Sequence, residues 1–414
     1  MSSRSVLTRR TIVTAVATLA LVPSGARAAA APALQSLTSD ALPITVGERR
    51  ARIAKIQALM QQSRIGALLV EAGSSLDYFT GIRWWRSERT TAAIIPASGD
   101  IVVVTPAFEE PSVRETLAVP GDVRPWNEHE SPFERLAQAL HDRGVVGPLA
   151  VEPTTRFYIL DGVARASGLQ VVSGDALVRA CRMIKSPAEL ALMLAANRVT
   201  LEAIRQARSH LQAGMTSADV AELVNGATAA LGGSPGGALV LLNEASAFPH
   251  GSIQKQVIRE GSIVLMDCGC TVHGYESDIT RTVVFGAPTA RQRQVWDTVK
   301  RGQEVALEMA RPGAPVGGID DAVRAYYEGR GWGPGYRLPG LSHRTGHGIG
   351  MDGHEAPYLV HADSTPLAPG MCFSDEPGLY IPGEFGIRLE DCWYMTEQGP
   401  KLFTPLARSI DDPI

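Results

Sequence analysis

The sequence predicts an α/β layer domain followed by a second domain in which helices lead into strand hairpins that carry acidic residues. Three observations lead there. Helix-period and strand-period stretches alternate from Gly47 to Val172, as in layered α/β units. A helix-start signature at Ser186-Pro187-Ala188-Glu189 then opens a new region. Beyond it, four carboxylates lie beside apolar runs around two turns, and LSHRTGHGIGMDGHEAP, from Leu341 to Pro357, packs three histidines among closely spaced glycines.

Residues 1–28 read as an export signal. Arg4, Arg9 and Arg10 precede an apolar run from Ile12 to Val22, and Ala26-Arg27-Ala28 offers a small-residue cleavage site. The run is too short to span a bilayer comfortably. Arg9-Arg10 after Thr8 suggests the twin-arginine route, which exports folded proteins to the bacterial periplasm; an ordinary secretory signal is the alternative. No Cys follows the signal, so no lipid or membrane anchor is expected, and residues 29–42 read as a disordered leader. The 39 Lys and Arg less the four arginines of the signal leave 35 against 43 Asp and Glu, a net charge of −8. That balance argues against nucleic acid or an anionic membrane as partner. The remaining chain of about 385 residues is long enough for two full cores.

The first domain is expected over residues 43–180. A charged amphipathic helix (Glu48 to Gln62) leads to the apolar run Ile65 to Val70, and Thr91 to Ile95 with Ile101 to Val104 reads as a β-hairpin around Ser98-Gly99-Asp100. Helix Pro132 to Arg143, strand Leu149 to Glu152, helix Thr155 to Ala166 and strand Leu169 to Val172 follow. No catalytic cluster falls in this stretch. The aromatic and basic run Tyr78 to Arg86 lies in a connection between strands, where Trp84 and Trp85 read either as a lid or subunit contact or as simple packing.

The second domain is expected over residues 181–414. A long helix should run from the capping box to near Gly214, and Thr216-Ser217 should start another. The strand Ile263 to Met266 leads into Asp267, a turn follows near Val272-His273-Gly274, and Tyr275 to Phe285 returns with Asp278. The midpoint of Asp267 and Asp278 falls inside that turn, so they should sit opposite or diagonally across an antiparallel pair. Glu376 and Glu390 flank Pro382-Gly383-Glu384 in the same way. Buried carboxylates facing one another repel unless cations lie between them.

The glycines at 346, 348, 350 and 353 leave the backbone around His347 bare, so something must approach it closely. A nucleotide-binding loop does not fit, because no strand-turn-helix unit frames these glycines. The zinc-protease helix pattern also fails, since no Glu follows the first His directly. Asp267, Asp278, Glu376 and Glu390 with His347 form a hard, oxygen-rich set that suits two divalent ions, manganese, zinc, cobalt or iron. The five cysteines, Cys181, Cys268, Cys270, Cys372 and Cys392, are odd in number and form no CxxC pair, and they read as small buried apolar residues rather than disulfide partners.

With these residues in view, five ordered motifs resemble the pita-bread metallopeptidases, which include Xaa-Pro aminopeptidases, Xaa-Pro dipeptidases (prolidases) and methionine aminopeptidases. They are Met266-Asp267-Cys268-Gly269 through Thr282, Gly346 to Gly350, His354-Glu355-Ala356-Pro357, Glu376-Pro377-Gly378 and Gly386 to Asp391. The resemblance implies an α+β pita-bread catalytic domain after the α/β N-terminal one. It implies that Asp278 and Glu390 bridge two ions, that Asp267 binds one of them, and that His347 and Glu376 bind the other. A metal-bridging hydroxide would attack the scissile amide of a proline-containing peptide. Glu376 would shuttle the proton, His354 would steady the tetrahedral intermediate, His250 would contact the substrate near the scissile bond, and His343 would line the pocket. Arg388, on the same strand face as Glu390, would orient Asp267. The N-terminal domain favours the Xaa-Pro enzymes, which are usually homodimers, over methionine aminopeptidases, which lack one. The resemblance leaves aminopeptidase and dipeptidase open. It also leaves two rivals: a hydrolase or lyase of a small molecule on the same scaffold, as in creatinase, and a binding protein that has lost catalysis.

Overall fold

The computed structural model describes residues 34–414. The export signal expected over residues 1–28 lies outside the described residues, as do residues 29–33 of the leader. Residues 37–41 of that leader are docked rather than free. Leu37 N donates to Leu231 O at 2.9 Å, Thr38 Oγ1 to Gly232 O at 3.2 Å, and His273 Nε2 to Ala41 O at 3.2 Å.

Thr45 caps helix α1 (Val46–Gln62) through a reciprocal pair with Glu48. There follow β1 (Ala67–Glu71), α2 (Ser74–Thr80), β2 (Ala92–Pro96), β3 (Ile101–Pro106), α3 (Glu110–Thr116), β4 (Gly121–Trp126), α4 (Pro132–Asp142), β5 (Leu149–Val151), α5 (Phe157–Ser167), β6 (Val171–Ser173) and α6 (Asp175–Arg182). The six strands form one mixed sheet in the order β4-β3-β2-β1-β5-β6. Ala67, Leu69, Ile94 and Val104 pack with Leu136, Leu140, Ile159 and Val163 of α4 and α5, while Leu68, Val70 and Ile95 are equally buried on the opposite face. Burial on both faces explains why these strands read as unbroken apolar runs. The segment Tyr78 to Arg86 does connect β1 to β2, but its first three residues complete α2. Trp84 and Trp85 stack at 5.1 Å, with Trp85 exposed.

Ser186 caps α7 (Pro187–Ser209) and Thr216 caps α8 (Ser217–Ala230), each with an acidic partner three residues on. Helix α7 stops five residues short of Gly214. The two helices pack on the antiparallel sheet of β7 (Ser234–Leu242), β8 (Ser262–Val272), β9 (Tyr275–Glu276) and β10 (Ile279–Phe285). After α9 (Ala290–Met309) and α10 (Gly317–Glu328) come β11 (Gly346–Gly348), β12 (Glu355–Leu359), β13 (Cys372–Asp375), β14 (Gly378–Ile381), β15 (Phe385–Arg388), β16 (Asp391–Thr396) and β17 (Gly399–Leu402). They form a sheet in the order β12-β11-β13-β16-β17 and a β14-β15 ribbon. Val295, Trp296 and Val299 of α9 and Val323 and Tyr327 of α10 close the core over Phe373, Tyr380, Ile387 and Trp393.

The two sheet systems are tied together at the end of α6. Arg182 Nη2 pairs with Glu355 and, at 2.9 Å, with Asp352 Oδ2, while its Nη1 donates to the hydroxyls of Ser74 and Ser75 at 2.9 Å. Lys185 Nζ lies 3.1 Å from Glu355 Oε2. Glu355 Oε1 also accepts from the backbone N–H groups of Met351 and Asp352 at 2.9 and 3.1 Å. All five cysteines are buried and unpaired. Among the described residues no helix is long and apolar enough to cross a membrane.

Candidate metal centre

The site is built from strand positions. Between β8 and β9, His273 and Gly274 have φ of 50° and 86°, so both turn residues are left-handed, as a two-residue hairpin of the type I′ class needs. Asp267 on β8 is paired with Thr280 on β10. Asp278 lies two residues before Thr280, which sets it diagonally across from Asp267 on one face. In the second hairpin Gly378 pairs with Arg388 and Asp375 with Asp391, and the same register carried between them sets Glu376 across from Glu390. His347 sits on β11 between glycines that let neighbouring backbone close in. A Cβ at Gly346 would lie 2.3 Å from Ser374 O, and one at Gly348 would lie 2.6 Å from Glu355 O.

Ligand atoms of Asp267, Asp278 and Glu390 come within 4.8 Å of one another, and so do those of His347, Glu376 and Glu390. Glu390 is common to both groups. His347 Nδ1 lies 3.1 Å from Gly348 O, which places the proton on that nitrogen. Its Nε2 lone pair therefore faces Asp278 Oδ2 at 3.7 Å and Glu376 Oε1 at 3.4 Å. Burial keeps the imidazole neutral, its pKa pushed down to about 3. Burial and then the neighbouring carboxylates push Asp278 and Glu376 well above the usual carboxylate range and Glu390 up to about 8. Glu390 Oε1, fully enclosed, has no hydrogen-bond partner. Acceptors that converge in this way without donors are matched by cations, and the donor set of four carboxylates and one imidazole fits a pair of divalent ions.

A second ring of contacts holds the acidic side chains in place. Arg388 Nη2 donates to Asp267 Oδ2 at 2.5 Å, its Nε to Thr280 Oγ1 at 3.1 Å and its Nη1 to Tyr380 Oη at 3.0 Å. Thr280 in turn donates to Glu390 Oε2 at 2.6 Å. Tyr380 donates to His343 Nε2 at 2.7 Å, and His343 Nδ1 donates to Arg344 O at 2.7 Å, which fixes the tautomer. Burial, followed by the charge of Arg388, holds His343 neutral with its pKa near 3. The His354 ring stacks on His347 at 3.8 Å, and His250 stands beside Pro249, whose carbonyl accepts from Arg388 Nη1 at 3.3 Å. Behind the strands, Arg281 and Asp391 form a fully buried pair at 2.6 Å.

All nine residues singled out in the sequence line one cavity of about 120 Å³: Asp267, Asp278, His347, Glu376, Glu390, His354, His250, His343 and Arg388. Sequence reasoning missed Thr280, Tyr380 and Arg344. Thr280 lies inside the motif that runs from Met266 to Thr282, but Tyr380 and Arg344 carry no distinguishing signal of their own.

Residues 191–397 match the model of metallopeptidase family M24, and residues 52–184 match that of the creatinase/prolidase N-terminal domain. The chain is 33% identical over 353 residues to the probable dipeptidase PepE of Mycobacterium tuberculosis, covering 84% of this chain and 92% of that one. The crystal structure of dipeptidase PepE from Mycobacterium ulcerans matches with a TM-score of 0.80 at 31% identity, over 88% of this chain and 97% of the other. Recombinant prolidase from Thermococcus sibiricus matches with a TM-score of 0.79 at 26% identity, over 86% and 97%. The chain belongs to metallopeptidase family M24, with a creatinase/prolidase N-terminal domain ahead of a pita-bread catalytic domain.

Proposed function

We propose that this M24 enzyme is a metal-dependent exopeptidase that hydrolyses the amide bond ahead of proline in Xaa-Pro peptides. The observation that carries the reading is the convergence of Asp267, Asp278, His347, Glu376 and Glu390 on one small cavity, with acceptor atoms left facing each other. Relatives named dipeptidase and prolidase support the substrate class. In this reading Asp278 and Glu390 would hold both ions, Asp267 would hold one of them, and His347 and Glu376 would hold the other. When bound, such ions, with manganese preferred over zinc, cobalt or iron, supply Lewis acidity to the scissile carbonyl and lower the pKa of water.

The chain's own groups do the rest. Glu376 takes the proton of the attacking water and later delivers it to the proline nitrogen, which has no N–H in the peptide and must be protonated to leave. His354, whose pKa is lowered by burial, is a neutral imidazole with one N–H to offer the carbonyl oxygen as charge develops there. His250 bounds the substrate on another wall, and His343, fixed by Tyr380, lines the floor. Arg388 keeps Asp267 aimed into the site, so that the carboxylate does not reorient as the ions load.

The test is hydrolysis by the manganese-loaded protein of three peptides: a Xaa-Pro dipeptide, a longer peptide with proline second, and a matched peptide without proline. Cleavage of the dipeptide alone makes the enzyme a prolidase, and cleavage of the longer proline peptide an aminopeptidase. No cleavage of any of them, with two metals bound, replaces the peptidase reading by a small-molecule substrate. Export to the periplasm rests on Arg9-Arg10 and the apolar run behind them, and cell fractionation with those arginines replaced by lysine tests it. A homodimer, with Trp84 and Trp85 at the contact, is tested by sedimentation of the wild type against Trp85→Ala.

A further inference from the structure

A buried ion pair on α10 grips the chain that enters and leaves β11. Asp320 is fully buried, and Arg324, one turn further along the helix, donates from Nε to Asp320 Oδ2 at 2.8 Å. The guanidinium lies 3.8 Å from the centre of the Tyr336 ring, and its Nη1 donates to the carbonyls of Gly335 and Leu341 at 2.8 and 3.0 Å. Its Nη2 donates to His343 O at 2.6 Å. Asp320 Oδ1 accepts from the backbone N–H and the hydroxyl of Thr345 at 3.0 and 2.8 Å, and Oδ2 accepts from His361 N at 3.1 Å. A carboxylate with four donors has one orientation, and so does the backbone it holds.

Thr345 is the link to the metal centre. Its carbonyl accepts from Glu376 N at 2.8 Å, and His347 follows two residues on. One residue thus joins Asp320 to both ligands assigned to one ion, while Asp267, assigned to the other, is held by Arg388 instead. A buried ion pair is weak evidence for stability, since apolar residues often serve as well, so its placement against ligand-bearing backbone points to precision. We infer that Asp320, with Arg324 as its counter-charge, is a positioning residue for one of the two ions: through Thr345 it sets the spacing of His347 and Glu376 and hence the affinity of the ion they share, leaving the Asp267 ion unaffected. The inference rests on the ligand scheme proposed above.

The experiment is a cobalt(II) titration of the chelator-treated protein, followed by calorimetry and by proton NMR. His347 Nδ1 carries a proton, and cobalt on Nε2 would shift it far from the ordinary range, so one exchangeable signal reports the filling of the His347 ion. In Asp320→Asn the cobalt concentration at which this signal reaches half intensity should rise roughly 10- to 100-fold, with the other equivalent bound as in the wild type. Thr345→Val, which removes one hydroxyl and leaves the ion pair intact, should raise it by a smaller factor, and Thr345→Ser, which keeps the hydroxyl, should titrate as the wild type. These two carry the test if Asp320→Asn does not fold. Arg388→Ala should do the reverse, weakening the other equivalent while the His347 signal fills normally. A His347 signal that titrates normally in Asp320→Asn and Thr345→Val, or an equal loss at both equivalents, overturns the assignment and makes the pair a structural contact only. A wild type that binds two ions with no shifted exchangeable proton overturns the ligand scheme itself, and this inference falls with it.

Discussion

Replacing Glu355 by Gln should cost about 3 kcal/mol of stability at neutral pH. The carboxylate lies between Lys185 and Arg182 at the join of the two sheet systems and also accepts two backbone N–H groups from the loop that carries His354. Although burial opposes its charge, Lys185 and Arg182 pull its pKa down from an ordinary value near 4.5 to about 2. That depression corresponds to about 3 kcal/mol. Stripping one partner from a buried ion pair gives an independent figure of about 3–5 kcal/mol. The amide in Glu355→Gln keeps the size and one acceptor but leaves Lys185, only 3% exposed, without a counter-charge. Because the folded pKa lies below the unfolded one, the contribution is complete above about pH 4.5 and is lost as pH falls toward 2, with less than half left at about pH 3. Urea unfolding of the wild type and Glu355→Gln at a series of pH values between 7 and 3 measures the gap. Equal stability at pH 7, or a gap that does not narrow on acidification, refutes the electrostatic account.

Other outcomes are expected at the site itself. Asp278→Ala should lower the metal content from two ions to one or fewer, as read by elemental analysis of the purified protein, and abolish turnover, because Asp278 is the ligand the two ions share in the proposed scheme. His354→Ala should retain both metals and lower kcat by roughly 100- to 1,000-fold with a smaller change in KM, the pattern of a contact made as charge develops. Arg388→Ala frees Asp267 to swing and should weaken metal affinity by roughly 10- to 100-fold in a competition titration against a chelator.

Helix starts are the most legible part of this chain, since a cap and its partner three residues on are a local signal. Ser186 with Glu189 and Thr216 with Asp219 cap where the pattern says, whereas α1 starts two residues ahead of the expected Glu48, because Thr45 caps it with Glu48 as its partner. Thr289 with Gln292 starts α9 by the same device, yet neither α9 nor α10 stands out in the sequence, because their apolar faces follow no obvious boundary in composition. The four acidic positions are legible because each pair straddles a turn, and antiparallel register turns that spacing into proximity. What lies between the hairpins is not local. Tyr380 reads as an ordinary strand aromatic until the fold brings it to His343 and Arg388, and Thr280 reads as packing until it is found bonding Glu390. The leader was the least legible stretch, because its anchoring bonds go to Leu231, Gly232 and His273, far away in the chain.

The five buried thiols have a practical consequence. Burial pushes Cys181 up to about 11 and Cys372 to about 12, and raises Cys268, Cys270 and Cys392 as well, so none is a thiolate at neutral pH in the folded protein. Alkylating reagents can reach them only when the chain opens locally. Cys181 sits on α6, while the other four lie in strands β8, β13 and β16, which carry or flank the metal-centre residues. Labelling rates at these native positions, resolved peptide by peptide, thus form a set of built-in clocks that show whether the two halves of the molecule breathe together and whether loading the site with metal slows one half alone.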